Sequence, residues 1–228
     1  MPWDRELTVF NGSPRGASGN TELLARAVCD GFRRAGGAVA DPTHYLRDEA
    51  RYDEHVGAFS KAERILLAFP LYTDAMPGLV KAFIEKLQPL CKRESNPPIA
   101  FLIHSGFPEG THSRRIERYL ERLAERLNQR YLGTIVKGGS EGIRHRSEKQ
   151  NEVVFGRCKE LGTDLANESS MRADVLRALA APERFPLWMG PVGHVLAHLP
   201  MMRSFWNKQL KRNGAYNRRF AHPYIDEA

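Results

Sequence analysis

Cysteine is scarce in this chain of 228 residues and forms no cluster. The three cysteines are odd in number and far apart, and they match neither a C-x-x-C motif nor the spacing of a metal site. We therefore expect no disulfide framework, and the default setting is a reducing cytoplasm. The three residues are Cys29, Cys91 and Cys158.

A long uninterrupted apolar segment is also missing. Charged residues at positions 4–6 interrupt the N-terminal region, so the sequence predicts no signal peptide. The segment 185–206 is apolar, but prolines and glycines break it too often for a membrane span.

Acidic residues are fewer than basic ones, at 27 against 34, which leaves a formal net charge of +7. This charge has two interpretations: attraction to an anionic nucleotide, nucleic acid or membrane surface, or an arginine-rich solvated exterior, which we favour. The chain lacks the aromatic interleaving and the motifs of a nucleic-acid module, so we predict no nucleic-acid partner.

The most informative stretch is residues 11–21, with the sequence NGSPRGASGNT. An apolar run precedes it, and apolar residues at helical spacing follow it, so it joins a buried strand to a helix that begins near Asn20. A loop of small and hydroxyl residues at a helix N-terminus offers unpaired N–H groups, and its arginine adds a charged donor. The candidate phosphate ligands are Ser13, Arg15, Ser18, Gly19, Asn20 and Thr21.

Two common phosphate motifs are excluded by spacing. The loop has no Gly-Lys-Ser/Thr ending, as a Walker loop requires, and no G-x-G-x-x-G, as a dinucleotide fingerprint requires. Taken alone, the loop is equally consistent with a turn that only caps a helix. Its pattern, G-S-P-R followed by G-N-T, resembles the first loop of the flavodoxin-like NAD(P)H-dependent FMN reductases.

A second loop strengthens the resemblance. The apolar run 64–69 predicts a strand buried on both faces, and it leads into residues 70–78, PLYTDAMPG. FMN reductases of this type carry P-x-Y near the end of the third strand and M-P-G-x-x-K at the next helix. Here Thr73-Asp74 replaces the Trp-Gly that often follows the tyrosine in relatives, which leaves open whether Asp74 faces the flavin ring.

A third loop follows the apolar run 98–104 and begins with SGFPE, which also occurs in relatives. His104 ends this run, and we favour a structural role for it over an acid catalyst. The resemblance implies that the flavin ring is bound by residues of the second and third loops. These residues are Pro70, Leu71, Tyr72, Thr73, Met76, Ser105, Gly106 and Phe107.

The alternation of strand and helix patterns predicts an α/β fold with a doubly wound, five-stranded parallel sheet. The resemblance implies the flavodoxin-like strand order 2-1-3-4-5. We expect the second strand at 38–46, on an edge that tolerates Asp41 and Pro42, and the fifth around 132–136. The helix over 111–127 is expected to turn Tyr119 inward.

We predict two parts: a flavodoxin-like FMN-binding domain over 1–168 and a helical C-terminal extension over 169–228. The extension is basic, and we favour packing on the core or a sister subunit over contact with a membrane surface. His194 and His198 have the i,i+4 spacing of metal ligands, but no third ligand is evident, so we predict no metal site.

The function that the resemblance implies is an FMN-dependent NAD(P)H oxidoreductase, which transfers hydride to flavin and electrons to a quinone, a flavin or another small acceptor. The cofactor supplies the chemistry, so we predict no catalytic side chain. Two alternatives stay open: a flavodoxin-type electron carrier and a non-enzymatic flavin sensor. Since relatives are commonly dimers, we expect a homodimer.

Overall fold

The computed structural model describes residues 6–167, 171–186, 189 and 200–221, in which parallel strands alternate with helices. The strands are β1 (Glu6–Asn11), β2 (Ala38–Val39), β3 (His44–Tyr45), β4 (Arg64–Pro70), β5 (Asn96–His104) and β6 (Gln129–Lys137). The α-helices are α1 (Asn20–Arg34), α2 (Tyr52–Lys61), α3 (Gly78–Lys86), α4 (Arg114–Arg126), α5 (Glu148–Ala166), α6 (Ala173–Ala180) and α7 (Pro200–Arg212).

The sheet confirms the predicted strand order. Its strands are all parallel and run β2-β1-β4-β5-β6, with β3 also paired to β1. The short strands β2 and β3 are the two halves of the predicted second strand, and Asp41 and Pro42 lie between them. Proline has no N–H to donate to a ladder, so the edge strand is interrupted there. Counted as one strand, the halves give the order 2-1-3-4-5.

Helices cover both faces of the sheet, as a doubly wound fold requires. Alternate residues of β4 point to opposite faces. Leu66 and Ala68 join an apolar core with α1, α5 and α6, whereas Ile65, Leu67 and Phe69 join a second core with α2, α3 and α4. The near-continuous apolar run of β4 follows from this double burial.

Some element predictions needed correction. The strand expected around 132–136 is the longer β6, Gln129–Lys137. Helix α5 begins at a capping box, in which the side chains of Ser147 and Gln150 each accept from the other residue's backbone N–H. Tyr119 is 43% exposed, so the prediction that it points inward was wrong. It lies at the margin of the apolar stripe of α4, where Leu120 and Leu123 fill the core instead.

Contacts divide the chain into two compact units, 1–184 and 185–228. The first unit contains α6, which packs against β6 and α5 and buries Met171, Val175 and Leu179. The second unit contains α7, while His194 and His198 lie outside the described residues. The predicted domain boundary at 168 stays a prediction. None of the described helices combines the length and the apolar character needed to cross a bilayer.

Candidate functional site

The predicted site residues lie in loops at the carboxyl ends of parallel strands. These loops are 12–19 after β1, 71–77 after β4 and 105–113 after β5, and the loop 138–147 after β6 joins them. Since all four strands run parallel, the loops meet at the same edge of the sheet. Ligands of open α/β sheets bind at this edge.

The first loop is held by its own hydrogen bonds. The Asn11 side-chain carbonyl accepts from the N–H of Ser13 at 2.9 Å, and the Ser13 hydroxyl accepts from the N–H of Arg15 at 3.2 Å. Gly16 then takes a φ of +55°, which favours glycine, and opens a 3-10 turn. A Cβ on Gly19 would lie 2.8 Å from the Ser13 hydroxyl oxygen. Because glycines occupy these positions, a ligand bound at the loop can approach its backbone closely.

The start of α1 offers an anion site. Gly19 precedes the helix, and no side chain of the described residues caps it, so first-turn N–H groups keep their capacity to bind an anion. Arg15 is exposed and forms no ion pair within the described part of the chain. Backbone donors, a helix dipole and a free guanidinium are the donor set that a phosphate monoester needs. The loop therefore fits the phosphate of FMN.

The side chains of the predicted phosphate ligands mostly have partners inside the protein. The Ser18 hydroxyl donates to the Arg15 carbonyl at 3.0 Å. The Asn20 side chain donates to the Ser140 carbonyl at 2.9 Å and accepts from the N–H of Arg144 at 3.2 Å, which joins α1 to the loop after β6. The Ser13 hydroxyl accepts a bond but keeps its proton to donate.

His104 is the centre of a buried network that sequence reasoning missed. The Ser140 hydroxyl donates to the Ser105 carbonyl at 2.9 Å, so it must accept from Nδ1 of His104, which lies 2.8 Å away. Nε2 then accepts from the Thr21 hydroxyl, also at 2.8 Å. We assign the Nδ1–H tautomer from these partners. The Thr21 hydroxyl thus faces His104.

The imidazole of His104 is neutral near pH 7. Burial, together with a smaller effect of the positive charge of Arg15, lowers its pKa from 6.5 to about 4. A neutral ring can hold the two hydroxyls in fixed positions, whereas a protonated ring would lose the acceptor at Nε2. The structural role favoured from the sequence agrees with this arrangement.

A second hydrogen-bond network, centred on the buried Glu22 of α1, connects the ends of β1 and β3 next to the first loop. The Glu22 carboxylate accepts from the Asn11 amide at 2.9 Å, from Arg26 at 2.8 Å and from the Tyr45 hydroxyl at 3.3 Å. Burial, followed by the charge of Glu22, raises the pKa of Tyr45. The one sequence signal for this network is a polar Asn11 at the end of an otherwise apolar strand.

The second loop forms a tight two-residue turn. Thr73 and Asp74 have φ values of +49° and +60°, and the backbones of Tyr72 and Ala75 bond each other at 2.8 and 3.1 Å. A left-handed conformation is strained for a β-branched residue such as Thr73. The turn leaves the Tyr72 ring 51% exposed.

The other predicted ring ligands of this loop occupy different positions. Pro70 ends β4, and Leu71 is buried with its N–H donated to the His104 carbonyl at 2.7 Å. Met76 is half-buried against the core below α3. The backbone N–H of Thr73 has no partner among the described residues, so it can donate to the edge of a ring.

The third loop contacts the second through His112. Phe107 is 48% exposed, and its ring stacks on His112 with centroids 4.7 Å apart. Nδ1 of His112 lies 3.3 Å from the Asp74 carboxylate, so Asp74 faces this imidazole. Ser105 is buried and donates to the Phe107 carbonyl, whereas Gly106 is exposed, and a Cβ on it would lie 3.6 Å from a carboxylate oxygen of Glu141.

The three loops together present a phosphate-binding end and two exposed aromatic rings, those of Tyr72 and Phe107. Aromatic rings can lie beside a planar heterocycle, and its edge can meet the exposed backbone of Gly106 and the N–H of Thr73, which is unpartnered among the described residues. The residues present thus fit the two ends of FMN.

One histidine–glutamate cluster lies elsewhere in the described residues. His44, Glu54 and His55 have ligand atoms within 4.8 Å of one another, and the two Nδ1 atoms are 3.2 Å apart. Both oxygens of Glu54 already accept from Arg51, at 2.9 and 2.6 Å. The pKa of each histidine is lowered, mainly by burial.

No protein-family model and no curated protein sequence matches the chain. Solved structures do match it. An NAD(P)H:quinone oxidoreductase from Methanothermobacter marburgensis is similar at 13% identity and a TM-score of 0.57, over 71% of this chain and 97% of its own.

Two further structures have the same architecture. An FMN-dependent NADH-azoreductase from Bacillus anthracis, solved in complex with FMN, has 12% identity and a TM-score of 0.54, over 72% of this chain and all of its own. An NADH:FMN oxidoreductase in its apo form has 18% identity and a TM-score of 0.56, over 78% of this chain and 96% of its own. At this identity the likeness establishes the fold, and the fold is the flavodoxin-like one that the loop motifs predicted.

Proposed function

We propose that this protein is an FMN-dependent NAD(P)H oxidoreductase that reduces a quinone, a flavin or another small acceptor. The main observation behind the proposal is the N-terminus of α1 after Gly19, where no described side chain caps the helix and Arg15 has no ion pair among the described residues. The loop motifs and the activities named for the similar structures support the same chemistry.

The residues of the chain bind and orient the cofactor in this proposal. The first-turn N–H groups of α1, the Ser13 hydroxyl and the Arg15 guanidinium hold the phosphate. Tyr72 and Phe107 flank the ring, and the N–H of Thr73 donates to its edge. FMN held by these residues would supply the redox chemistry, which is hydride transfer from a nicotinamide and electron transfer to the acceptor.

An absorbance spectrum tests the proposal directly. Purified protein is incubated with FMN, desalted, and mixed anaerobically with NADPH and, separately, with NADH. Retained flavin bands that bleach within the dead time of hand mixing support the oxidoreductase. Retained bands that neither nucleotide bleaches would favour the electron carrier or sensor, and loss of all flavin on desalting would contradict an FMN site.

A homodimer and a cytoplasmic setting belong to the same proposal. The homodimer is supported by the dimers common among FMN reductases of this type, and the cytoplasmic setting by the scarcity of cysteine. Size-exclusion chromatography with light scattering on the FMN-incubated protein measures the assembly, and a monomer mass at micromolar concentration would contradict the dimer.

A further inference from the structure

A cavity rich in arginine opens beside the second and third loops. Its volume is about 890 Å³, within the range of ligand pockets. We call it the arginine cavity. Its lining residues are Asp74, Thr111, His112, Arg114, Arg115, Arg118, Glu183 and Arg184.

The acidic residues of the arginine cavity already have partners. Arg114 bonds Glu183 at 2.6 Å, and it also bonds Glu117 at 2.7 Å. Asp74 lies 3.3 Å from Nδ1 of His112. These carboxylates are therefore engaged on the wall of the cavity.

Two other arginines of the cavity, Arg115 and Arg118, have no acidic partner among the described residues. Arg115 and Arg118 are exposed, stand three residues apart on one side of α4, and form no ion pair or hydrogen bond within the described ranges. Arg184 donates to the Thr111 hydroxyl at 3.4 Å, and its charge also acts on Glu183. The four arginines of the cavity thus outnumber its two carboxylates, an arrangement that favours a multiply charged anion.

The position of the cavity identifies the anion. His112 lines it and stacks on Phe107, and Asp74 lines it from the turn that presents Tyr72. Both aromatic residues flank the flavin ring in the proposed function. A nicotinamide nucleotide that reaches this ring must place its adenosine end nearby, and the arginine cavity adjoins the ring.

We propose that the arginine cavity binds the 2′-phosphate of NADPH, and that the enzyme consequently prefers NADPH to NADH. This inference rests on the proposed function. A 2′-phosphate monoester carries between one and two negative charges at neutral pH and matches the guanidinium fork of Arg115 and Arg118. NADH lacks this group and leaves the arginines without a counter-charge.

Direct binding tests the inference without any redox step. Adenosine 2′,5′-bisphosphate and adenosine 5′-monophosphate are titrated calorimetrically into the full-length, FMN-incubated protein. We expect the bisphosphate to bind about tenfold or more tightly than the monophosphate. The variants Arg115→Gln and Arg118→Gln should each weaken bisphosphate binding by about three- to tenfold and leave monophosphate binding unchanged.

Arg122→Gln is the matched control. It removes the same charge from the same helix, but Arg122 pairs with Glu125 and does not line the arginine cavity. Equal affinities for the two nucleotides, or an equal loss in the Arg122 variant, would overturn the inference.

Failure of the cavity assignment can be distinguished from failure of the proposed function. If NADPH and NADH bleach the flavin with equal kcat/KM in wild type and in both variants, the oxidoreductase stands and the cavity assignment fails. If neither nucleotide bleaches the flavin while bisphosphate binding still depends on Arg115 and Arg118, the nucleotide site stands and the proposed oxidoreductase fails.

Discussion

At the scale of single residues, His104 does the most to organise the candidate site. Its two ring nitrogens bond Thr21, at the start of α1, and Ser140, in the loop after β6. The bond from Thr21 needs the neutral ring, because a protonated Nε2 cannot accept it. The His104 imidazole, whose charge depends on pH, therefore links the start of α1 to the loop after β6.

This burial predicts a pH dependence of stability. Unfolded His104 takes up a proton near pH 6.5 and folded His104 only near pH 4, so the unfolded state binds more protons between these values. The free energy of unfolding should fall as the pH drops through this window, by up to about 3 kcal/mol from this group. Urea unfolding at pH 7.5, 6 and 5 measures it.

The variant His104→Asn isolates this contribution. We expect it to be less stable than wild type at pH 7.5 and to show a shallower loss of stability toward pH 5. The difference between the two slopes gives the contribution of His104. Identical slopes for wild type and His104→Asn would mean that His104 is not the buried neutral base.

Arg15 carries the charge of the phosphate loop. Because it is exposed and unpaired in the described structure, its replacement removes a donor to the ligand and leaves the fold intact. We expect Arg15→Ala to weaken FMN binding by about 1–3 kcal/mol, as for the loss of a charge-assisted hydrogen bond. Fluorescence titration with FMN at fixed ionic strength measures the change.

Arg34→Ala provides the comparison for Arg15, since Arg34 is exposed at the opposite end of α1. It should bind FMN as wild type does. An unchanged FMN affinity in Arg15→Ala would remove this residue from the phosphate site.

At the scale of elements, the contact between α1 and α5 is unusually close. A Cβ on Gly31 would lie 1.8 Å from the Lys159 carbonyl oxygen, and one on Gly162 would lie 2.0 Å from that of Val28. The two backbones therefore touch where glycines face them. This contact fixes how α1 lies on the sheet, and the N-terminus of α1 is the proposed phosphate site.

The close contact predicts opposite effects at two glycines. Gly31→Ala must push the helices apart, and we expect it to lower the free energy of unfolding by about 3 kcal/mol or more. Gly156, also in α5, has nothing within 4 Å of its Cβ position. Gly156→Ala should therefore raise the free energy of unfolding by about 0.5–1 kcal/mol, through helix propensity alone.

Chemical denaturation with a circular-dichroism readout measures both glycine variants. Equal effects of Gly31→Ala and Gly156→Ala would contradict the backbone contact. Reduced FMN affinity in a folded Gly31→Ala protein would further indicate that the position of α1 sets the phosphate site.

At the scale of the whole molecule, α6 belongs to the same compact unit as the sheet. Met171, Val175 and Leu179 are buried in the core formed with α1 and α5. Arg157 of α5 donates to the Ala178 carbonyl at 2.7 Å. A domain ending at 168 would leave this part of the core exposed.

Shortened chains test this arrangement. A protein of residues 1–184 should be more stable than one of residues 1–168 by several kcal/mol, because each buried apolar side chain contributes about 1.5–3 kcal/mol. Urea midpoints of the two proteins give the difference. Equal midpoints would support the boundary predicted at 168.

Much of the fold could be predicted from the sequence. The runs at 64–69 and 98–104 predicted buried strands because a strand covered on both faces has no polar positions. Asp41 and Pro42 favoured an edge position for the second strand for a similarly local reason, although its interruption between β2 and β3 was seen only in the structure. Such features depend on residues a few positions apart, so they can be predicted from the sequence alone.

The candidate site could be predicted only in its loops. Thr21, His104 and Ser140 are separated by 83 and 36 positions, and no local pattern indicates that they meet. The arginine cavity likewise brings residues of α4 to the turn at Asp74 and to Arg184. Packing of distant elements selects these neighbours, so the loop chemistry was visible in the sequence, whereas the hydrogen-bond network and the cavity required the folded chain.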